Sequence, residues 1–230
     1  MKKNTKDCDL SSCFFCKLCL PEWLPAIKAN KNTFQFKKGE LIFKEGETVK
    51  GIYFIFNGTV KVHKKWGNEK ELIIRFAKAG DIVGHRGLGE DPCYPVSGTA
   101  IEPTTVCFVD LDFFKSTLKV NIDLTIKLLM FYADELQRSE RKMNNLAHMQ
   151  VKGRIAESLI SLKNKFGITD EGTIDIILSR QDLASYSGTT YETVFRILNE
   201  LNEENIISVV NKNIAIINES VLKNFTNQTD

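Results

Sequence analysis

Residues 179–201 read SRQDLASYSGTTYETVFRILNEL, and they decide the fold of the C-terminal part of the chain. Ser179 has the side chain of an N-cap for a first short helix, and Thr190 can cap a second one. Gly188, between them, permits the backbone conformation that a tight turn needs. Four apolar residues recur on the second helix at three- and four-residue spacing and share a buried face: Val194, Ile197, Leu198 and Leu201. The stretch predicts a helix-turn-helix.

The opposite face of the second helix offers side chains that can read DNA bases. An arginine such as Arg196 can donate twice to guanine O6 and N7, and a glutamate such as Glu192 can accept from cytosine N4. The two are one helical turn apart, so an ordinary surface ion pair is the alternative interpretation. Because a turn precedes this helix and a hairpin follows it, we favour base recognition. The candidate DNA-binding residues, including possible phosphate contacts, are Arg180, Thr189, Thr190, Tyr191, Glu192, Phe195 and Arg196.

Composition is that of a globular protein with room for two domains. The chain has 230 residues, of which 43% are hydrophobic and 26% charged. No apolar run is long enough to span a membrane and no signal-type core follows the N-terminus, so we expect a cytoplasmic protein without a membrane partner. Residues 151–230 hold eight Lys and Arg against eleven Asp and Glu, whereas DNA-binding domains are usually basic. Affinity must therefore come from a few placed cations, backbone amides and dimerisation.

Residues 33–110 alternate apolar and polar side chains in short runs separated by glycine. Asn57-Gly58, between two of these runs, is typical of a hairpin turn. Strands this short and this numerous predict an antiparallel roll or barrel. The predicted strands are 33–36, 41–43, 51–56, 59–63, 71–76 and 105–109.

Residues 111–149 lack glycine and proline and predict a long helix. Apolar residues on it alternate steps of four and three, as in a coiled-coil seam. A helix packed on its own roll is the alternative, but the length of the seam favours a two-fold dimer. The candidate interface residues are Ile122, Ile126, Leu129, Ala133, Leu136 and Met143, with Glu140 departing from the apolar pattern.

The last third of the chain completes a winged helix-turn-helix. We predict a helix from Val151 to about Lys165, a strand over 173–178, and a closing hairpin, the wing, over 206–217. The fold class is therefore α+β: a β-roll of jelly-roll type, a long helix and a winged helix. The predicted segments are a cysteine-rich leader (1–21), a sensor roll (22–110), a dimerisation helix (111–149) and a DNA-binding domain (150–230).

From about Trp23 to Phe225 the chain resembles the Crp/Fnr family of transcription regulators, whose roll is a cyclic-nucleotide-binding-like domain. The matching motifs are Lys38-Gly39-Glu40, Glu45-Gly46-Glu47, Asn57-Gly58, 80–84, 151–156 and 179–196. The resemblance implies a homodimer on a pseudo-palindromic DNA operator, with Glu192 and Arg196 as base readers and the long helix relaying an effector signal. RNA polymerase is a further possible partner, with no surface assigned to it. In the Fnr branch a serine usually stands where this chain has Phe195.

The residues that hold cyclic AMP in this family do not occur here. Members that bind it place a glutamate after the glycine matching Gly84 and an arginine some ten residues later. This chain has His85 at the first position and no arginine within 94–99, and Arg86 is at another offset. A buried phosphate without a cation is poorly compensated, so we do not expect cyclic AMP to bind. His85 itself is a possible haem ligand but is better explained as a hydrogen-bonded roll histidine.

Cysteines cluster at the N-terminus with the spacing C-x4-C-x2-C-x2-C. In an intracellular protein such density indicates metal or cluster ligation and not disulfides. The x2 spacings match the start of the bacterial ferredoxin pattern, although the Fnr branch itself typically has C-x2-C-x5-C. By resemblance to that branch, Cys19 before Leu20-Pro21 is the last leader ligand, and Cys107 is the ligand from the roll. The predicted [4Fe–4S] ligands are Cys13, Cys16, Cys19 and Cys107, with Cys8 and Cys93 in reserve.

Two hypotheses follow for the function. In the first, a homodimeric DNA-binding regulator senses oxygen, nitric oxide or redox state through the cluster. In the second, the DNA activity is the same, but the roll takes an unidentified small ligand or none, and the cysteines bind zinc or no metal. No convincing nucleophile–base pair and no phosphate-cradling loop is found, so we do not expect an enzyme.

Overall fold

The computed structural model describes residues 2–3, 13–67 and 70–227. These residues form two compact units. The first contains the described residues up to Lys65 together with Ile74–Leu136, and the second contains 66–73 and the chain from Gln137 onward. None of the described helices is long and apolar enough to cross a membrane.

The roll is built on two antiparallel sheets. Its strands are β1 (Lys2–Lys3), β2 (Lys31–Phe36), β3 (Leu41–Phe43), β4 (Gly51–Asn57), β5 (Val60–Trp66), β6 (Lys70–Ala77), β7 (Ile82–Val83), β8 (Ser97–Ala100) and β9 (Thr104–Asp110). One sheet has the order β1-β2-β9-β4-β7 and the other the order β3-β8-β5-β6. The predicted roll and its six strands are confirmed, and β1, β7 and β8 are additional.

The Asn57-Gly58 turn does not close a hairpin, so that prediction is wrong. β4 pairs with β9 and β7, whereas β5 pairs with β8 in the other sheet. The chain therefore crosses from one sheet to the other at Gly58, whose φ is +90°. A Cβ atom there would lie 2.5 Å from Thr104 Oγ1 and 2.7 Å from the Pro103 carbonyl oxygen. The crossing explains why turn residues occur between strands that are not neighbours.

Helices dominate the remainder of the chain. They are α1 (Leu24–Asn30), α2 (Leu111–Val120), α3 (Ile122–His148), α4 (Val151–Phe166), α5 (Arg180–Ser187), α6 (Tyr191–Glu203) and α7 (Glu219–Thr226), with the wing strands β10 (Ile207–Val210) and β11 (Asn213–Ile216). The predicted helix-turn-helix, wing and first helix of the C-terminal part are confirmed.

The single helix predicted over 111–149 is two helices, separated at Asn121. The backbone of Asn121 has φ −112° and ψ 84°, which is not helical. Its buried side chain donates from Nδ2 to the Thr117 carbonyl oxygen (2.9 Å) and accepts from the Leu20 backbone N–H through Oδ1 (2.7 Å). These bonds to another segment stabilise a break that the absence of glycine and proline did not predict.

The strand predicted over 173–178 is also wrong. Within this segment Ile174 forms an isolated bridge with Ile168 and donates its N–H to the Ile214 carbonyl oxygen (2.8 Å). The Ile176 N–H, two residues further along, donates to the Ile174 carbonyl oxygen (2.8 Å) and not to a neighbouring strand. The local turn uses the groups that would have extended a strand ladder.

Candidate DNA-binding surface and cysteine cluster

The helix-turn-helix is held by caps at both helix starts. Ser179 Oγ accepts from the Asp182 backbone N–H at 3.0 Å, and Thr190 caps α6 by accepting from the Thr193 N–H. At the turn Gly188 has φ +65° and ψ 45°, the left-handed conformation. Side-chain capping of this kind stabilises a helix start by about 1 kcal/mol. The three residues therefore fix the angle at which α6 leaves the turn.

Helix α6 has one buried and one exposed face. Its buried residues are the four predicted ones, Val194, Ile197, Leu198 and Leu201. Tyr191, Glu192, Phe195 and Arg196 are exposed, and the aromatic rings among them are about half exposed. The exposed residues lie in the first two turns, where a recognition helix contacts base edges.

Arg196 forms an ion pair, but with a different residue from the one considered in the sequence. Its Nη1 donates to Glu200 Oε1 at 2.5 Å, one turn further along α6, and not to Glu192. The Arg196 side chain is 65% exposed. Because an exposed pair of this kind contributes little free energy, the guanidinium can exchange Glu200 for a base edge at small cost.

The three predicted phosphate contacts have different surroundings. Arg180 Nη2 donates to the Asn211 carbonyl oxygen (3.1 Å) in the wing turn, and partial burial lowers the pKa of this guanidinium. Thr189 is half-buried, and its backbone N–H donates to the Ala184 carbonyl oxygen. The Thr190 hydroxyl is engaged in capping α6. Arg180 thus joins the helix-turn-helix to the wing.

Arg154 stabilises the turn of the helix-turn-helix, a role that the sequence motif 151–156 did not predict. From α4 it donates to three backbone carbonyl oxygens: Met149 at 2.7 Å, Ser187 at 3.1 Å and Gly188 at 3.3 Å. Two of these acceptors belong to the end of α5 and the turn. A side-chain pattern cannot reveal such bonds, because the acceptors are backbone atoms.

The four predicted cluster ligands lie in one apolar part of the first unit. Cys13, Cys16 and Cys107 are buried members of a hydrophobic cluster, and Cys19 packs against it. Cys107 is on β9, which pairs with β2 on one side and β4 on the other. The leader cysteines Cys16 and Cys19 lie in a short turn, in which the Cys19 N–H donates to the Cys16 carbonyl oxygen. The structure therefore brings these cysteines to the same region.

The thiols are not arranged as a preformed metal site. Within residues 13–67 and 70–227 no group of three or more Cys, His, Asp or Glu residues could hold a metal ion. Burial, and then the neighbouring Cys13, raise the pKa of Cys19 to about 12. The Cys19 Sγ instead donates to the Phe15 carbonyl oxygen (3.2 Å). The donor set is that of a thiolate-bound metal or cluster, but holding one requires deprotonation and rearrangement.

The two reserve ligands are Cys8 and Cys93. Cys8 lies outside the described residues. Cys93 forms an isolated bridge with Thr48 and is not a member of the cluster that contains Cys107.

The roll positions that would hold a cyclic nucleotide have other roles. Tyr94 packs against Phe43 (ring centroids 4.8 Å apart) and donates from its hydroxyl to the Gly51 carbonyl oxygen (2.7 Å). His85 is buried in the roll. Burial and the neighbouring Arg75 and Arg86 lower the pKa of His85.

The predicted seam on α3 is exposed in the single chain. Five large apolar residues on it are between 55% and 67% exposed: Ile122, Ile126, Leu129, Leu136 and Met143. Ala133 and Glu140, between them, are exposed as well. A row of this length on one helix is unusual for a surface in contact with water.

Comparison with known proteins identifies relatives over both units. Residues 33–121 match the cyclic nucleotide-binding domain family, and residues 153–225 match the Crp-like helix-turn-helix domain family. The cAMP-activated global transcriptional regulator CRP of Salmonella typhimurium is 32% identical over 180 residues, which cover 76% of this chain and 84% of that protein.

Two further relatives match most of the chain. The anaerobic regulatory protein of Bacillus subtilis is 29% identical over 178 residues, covering 76% of this chain and 75% of that protein. The structure of FixK2 from Bradyrhizobium japonicum superposes with a TM-score of 0.77 at 25% identity, covering 87% of this chain and 99% of that one.

Proposed function

The chain belongs to the Crp/Fnr family of transcription regulators, and from that premise we propose a homodimeric, sequence-specific DNA-binding regulator that senses oxygen, nitric oxide or redox state through its cysteines. The observation that carries the DNA-binding role is the exposed face on the first two turns of α6, opposite a fully buried one. We assign base contacts to Glu192, Phe195 and Arg196, and backbone contacts to Arg180, Thr189, Thr190 and Tyr191.

Dimerisation is proposed through the exposed seam of α3. Pairing with a second copy would cover apolar side chains that the single chain leaves in water, at about 25 cal/mol for each Å² removed. A two-fold dimer also presents two recognition helices to half-sites about 34 Å apart, as a pseudo-palindromic operator requires. We propose four functional segments: the leader 1–21, the sensor roll 22–110, the dimerisation segment 111–149 and the DNA-binding domain 150–230.

The sensing role is proposed for Cys13, Cys16, Cys19 and Cys107. A [4Fe–4S] cluster, when bound, supplies chemistry with oxygen and nitric oxide. The chain supplies four thiols in an apolar surrounding that limits access of water, which suits such a cluster. The same region contacts α2 and the break before α3, because Trp23 Nε1 donates to Thr117 Oγ1 (3.0 Å) and the Leu20 N–H donates to Asn121 Oδ1 (2.7 Å). A change at the cysteines can therefore reach the start of the dimerisation segment.

The second candidate is a regulator of the same type whose cysteines bind zinc or no metal, with an unidentified effector or none. It is favoured by the high pKa of Cys19 and by the thiols not forming a preformed site in the described residues. In both candidates we propose that cyclic AMP is not the effector, because His85 stands where the family has the glutamate that contacts it and residues 94–99 contain no arginine.

Protein purified without oxygen tests these candidates. We expect about four iron and four sulfide per chain, and binding to an operator selected from random duplexes that differs between air and nitrogen. Cys16→Ser should lose the iron, whereas the control Cys93→Ser should keep it. One zinc per chain supports the second candidate. A colourless protein that selects an operator but binds it equally in air and nitrogen removes the sensor role and leaves DNA binding intact.

A further inference from the structure

A buried carboxylate on α3 faces two arginines of the roll. Glu135 is 8% exposed, although its neighbours on the helix, Asp134 and Leu136, are exposed. Its Oε2 accepts from Arg86 Nη2 at 3.0 Å and lies 3.5 Å from Arg75 Nε. The Arg75 side chain is itself 11% exposed. Charges removed from water in this way require a counter-ion, because desolvation otherwise penalises them heavily.

The two guanidinium groups belong to residues of the roll, and Arg75 has contacts besides the one with Glu135. Arg75 Nη2 donates to the Ile82 carbonyl oxygen, and its guanidinium carbon lies 5.6 Å from the centroid of the Phe131 ring. Arg86 stands directly after His85, in a short helical turn that spans His85–Leu88. Two guanidinium groups therefore approach the same atom, Oε2 of Glu135 on α3.

Aromatic groups close the site around this carboxylate. The His85 ring meets Phe131 and Tyr132 edge-on, with centroids 5.0 and 5.4 Å away, and the Tyr132 hydroxyl donates to the His85 carbonyl oxygen. His85 is kept neutral, since its pKa is lowered by burial and by both arginines. His85 therefore adds no positive charge to the site, and Glu135 of α3 places a negative charge beside both arginines.

We propose that Arg75 and Arg86 form a site for a small carboxylate, which this chain fills with its own Glu135. Helix α3 therefore carries a built-in anionic ligand for two arginines of the roll. The site contains none of the cysteines and none of the residues assigned to DNA binding. A measurement of protein stability tests it without metal or DNA.

Removing the internal ligand should open the site to small carboxylates. Glu135→Ala leaves two largely buried guanidinium groups facing a gap, and we expect its unfolding midpoint to fall by about 5–10 °C. Added sodium formate should raise that midpoint in a saturable way, compared with sodium chloride at equal ionic strength. Asp134→Ala, which removes an exposed carboxylate one residue away, is the matched control and should show neither effect. Equal responses of the two variants to formate would overturn the proposal.

A double-mutant cycle covers the case in which Glu135→Ala fails to fold. Glu135→Gln keeps the shape of the side chain, and Arg86→Met removes the closer partner. The effect of Arg86→Met on the unfolding midpoint should be smaller in the Glu135→Gln background than in the parent protein, because the two residues share an interaction. Additive shifts would show that the carboxylate is not the ligand of this arginine and would likewise overturn the proposal.

Discussion

Arg196 has a guanidinium that is largely exposed and paired with Glu200 on the same helix. We predict that Arg196→Ala removes discrimination of one G·C pair in each half-site, by about 1–3 kcal/mol, because a bidentate contact to guanine is lost. Binding to operators substituted at each position measures this. Glu200→Gln is the control and should keep the discrimination. Uniform weakening on every sequence would instead identify Arg196 as a phosphate contact.

Arg154 satisfies three backbone carbonyl groups around the turn of the helix-turn-helix. Arg154→Met preserves much of the apolar stem but leaves these acceptors without their donor. We predict a loss of about 1–3 kcal/mol in the free energy of unfolding, measured by denaturant titration. Lys212→Met, at an exposed wing position, should change it by less than about 0.5 kcal/mol. A wild-type midpoint for Arg154→Met would mean that water replaces the guanidinium without penalty.

The roles of some residues could be predicted from the sequence, and the roles of others could not. Ser179, Gly188 and Thr190 were predictable because each role follows from the residue's own chemistry. Arg154 and Glu135 were not, because their partners are backbone atoms or distant side chains that only the folded chain brings near. The base and metal contacts assigned to particular residues stay predictions.

At the scale of elements, the exposed seam of α3 is the feature with the most direct test. We predict that Ile126→Lys together with Leu129→Lys gives a monomer, because each new charge would have to be buried between two helices. Light scattering measures the mass, and operator binding should be lost with it. Asp134→Lys, exposed on the same helix outside the seam, should stay dimeric. A doubly substituted protein of dimer mass would place the interface elsewhere.

The break between α2 and α3 ties the cysteine segment to the dimerisation segment through Asn121. We predict that Asn121→Ala, which removes the bonds to Leu20 and Thr117, loosens the leader by about 1–2 kcal/mol. Cys19 of the metal-free protein should then react roughly 5–30 times faster with a thiol reagent, since opening precedes reaction. Asn30→Ala, which removes an exposed bond to Ala26, should leave the rate unchanged. An unchanged rate for Asn121→Ala would show that the segment is held by packing alone.

The strands differ in how clearly the sequence predicts them. The longer strands alternate apolar and polar residues, whereas β8 is the buried run Ser-Gly-Thr-Ala, with no alternation to detect. The Phe43 ring fills the space above Gly98, where a Cβ would lie 2.4 Å from it. The small residues of β8 are therefore explained by a ring that comes from another strand.

For the whole molecule, the charge balance of the C-terminal part bears on how operator binding depends on salt. With eight Lys and Arg against eleven Asp and Glu in residues 151–230, few phosphates can be neutralised by each protomer. We predict a slope of log affinity against log salt concentration no steeper than about −5 for the dimer, since each neutralised phosphate contributes about −0.9. A titration from low to high salt measures this. A slope near −10 would require an additional basic surface.

The crossing between the two sheets at Gly58 limits how this protein can vary. A saturation library at that codon should return glycine alone, because the positive φ and a wall of backbone atoms from Pro103 and Thr104 both reject a side chain. At Gly188 the obstructing atom is the tip of the Leu146 side chain, which can rotate away. Asparagine, which tolerates left-handed backbone, is thus an acceptable replacement in the helix turn but not in the roll.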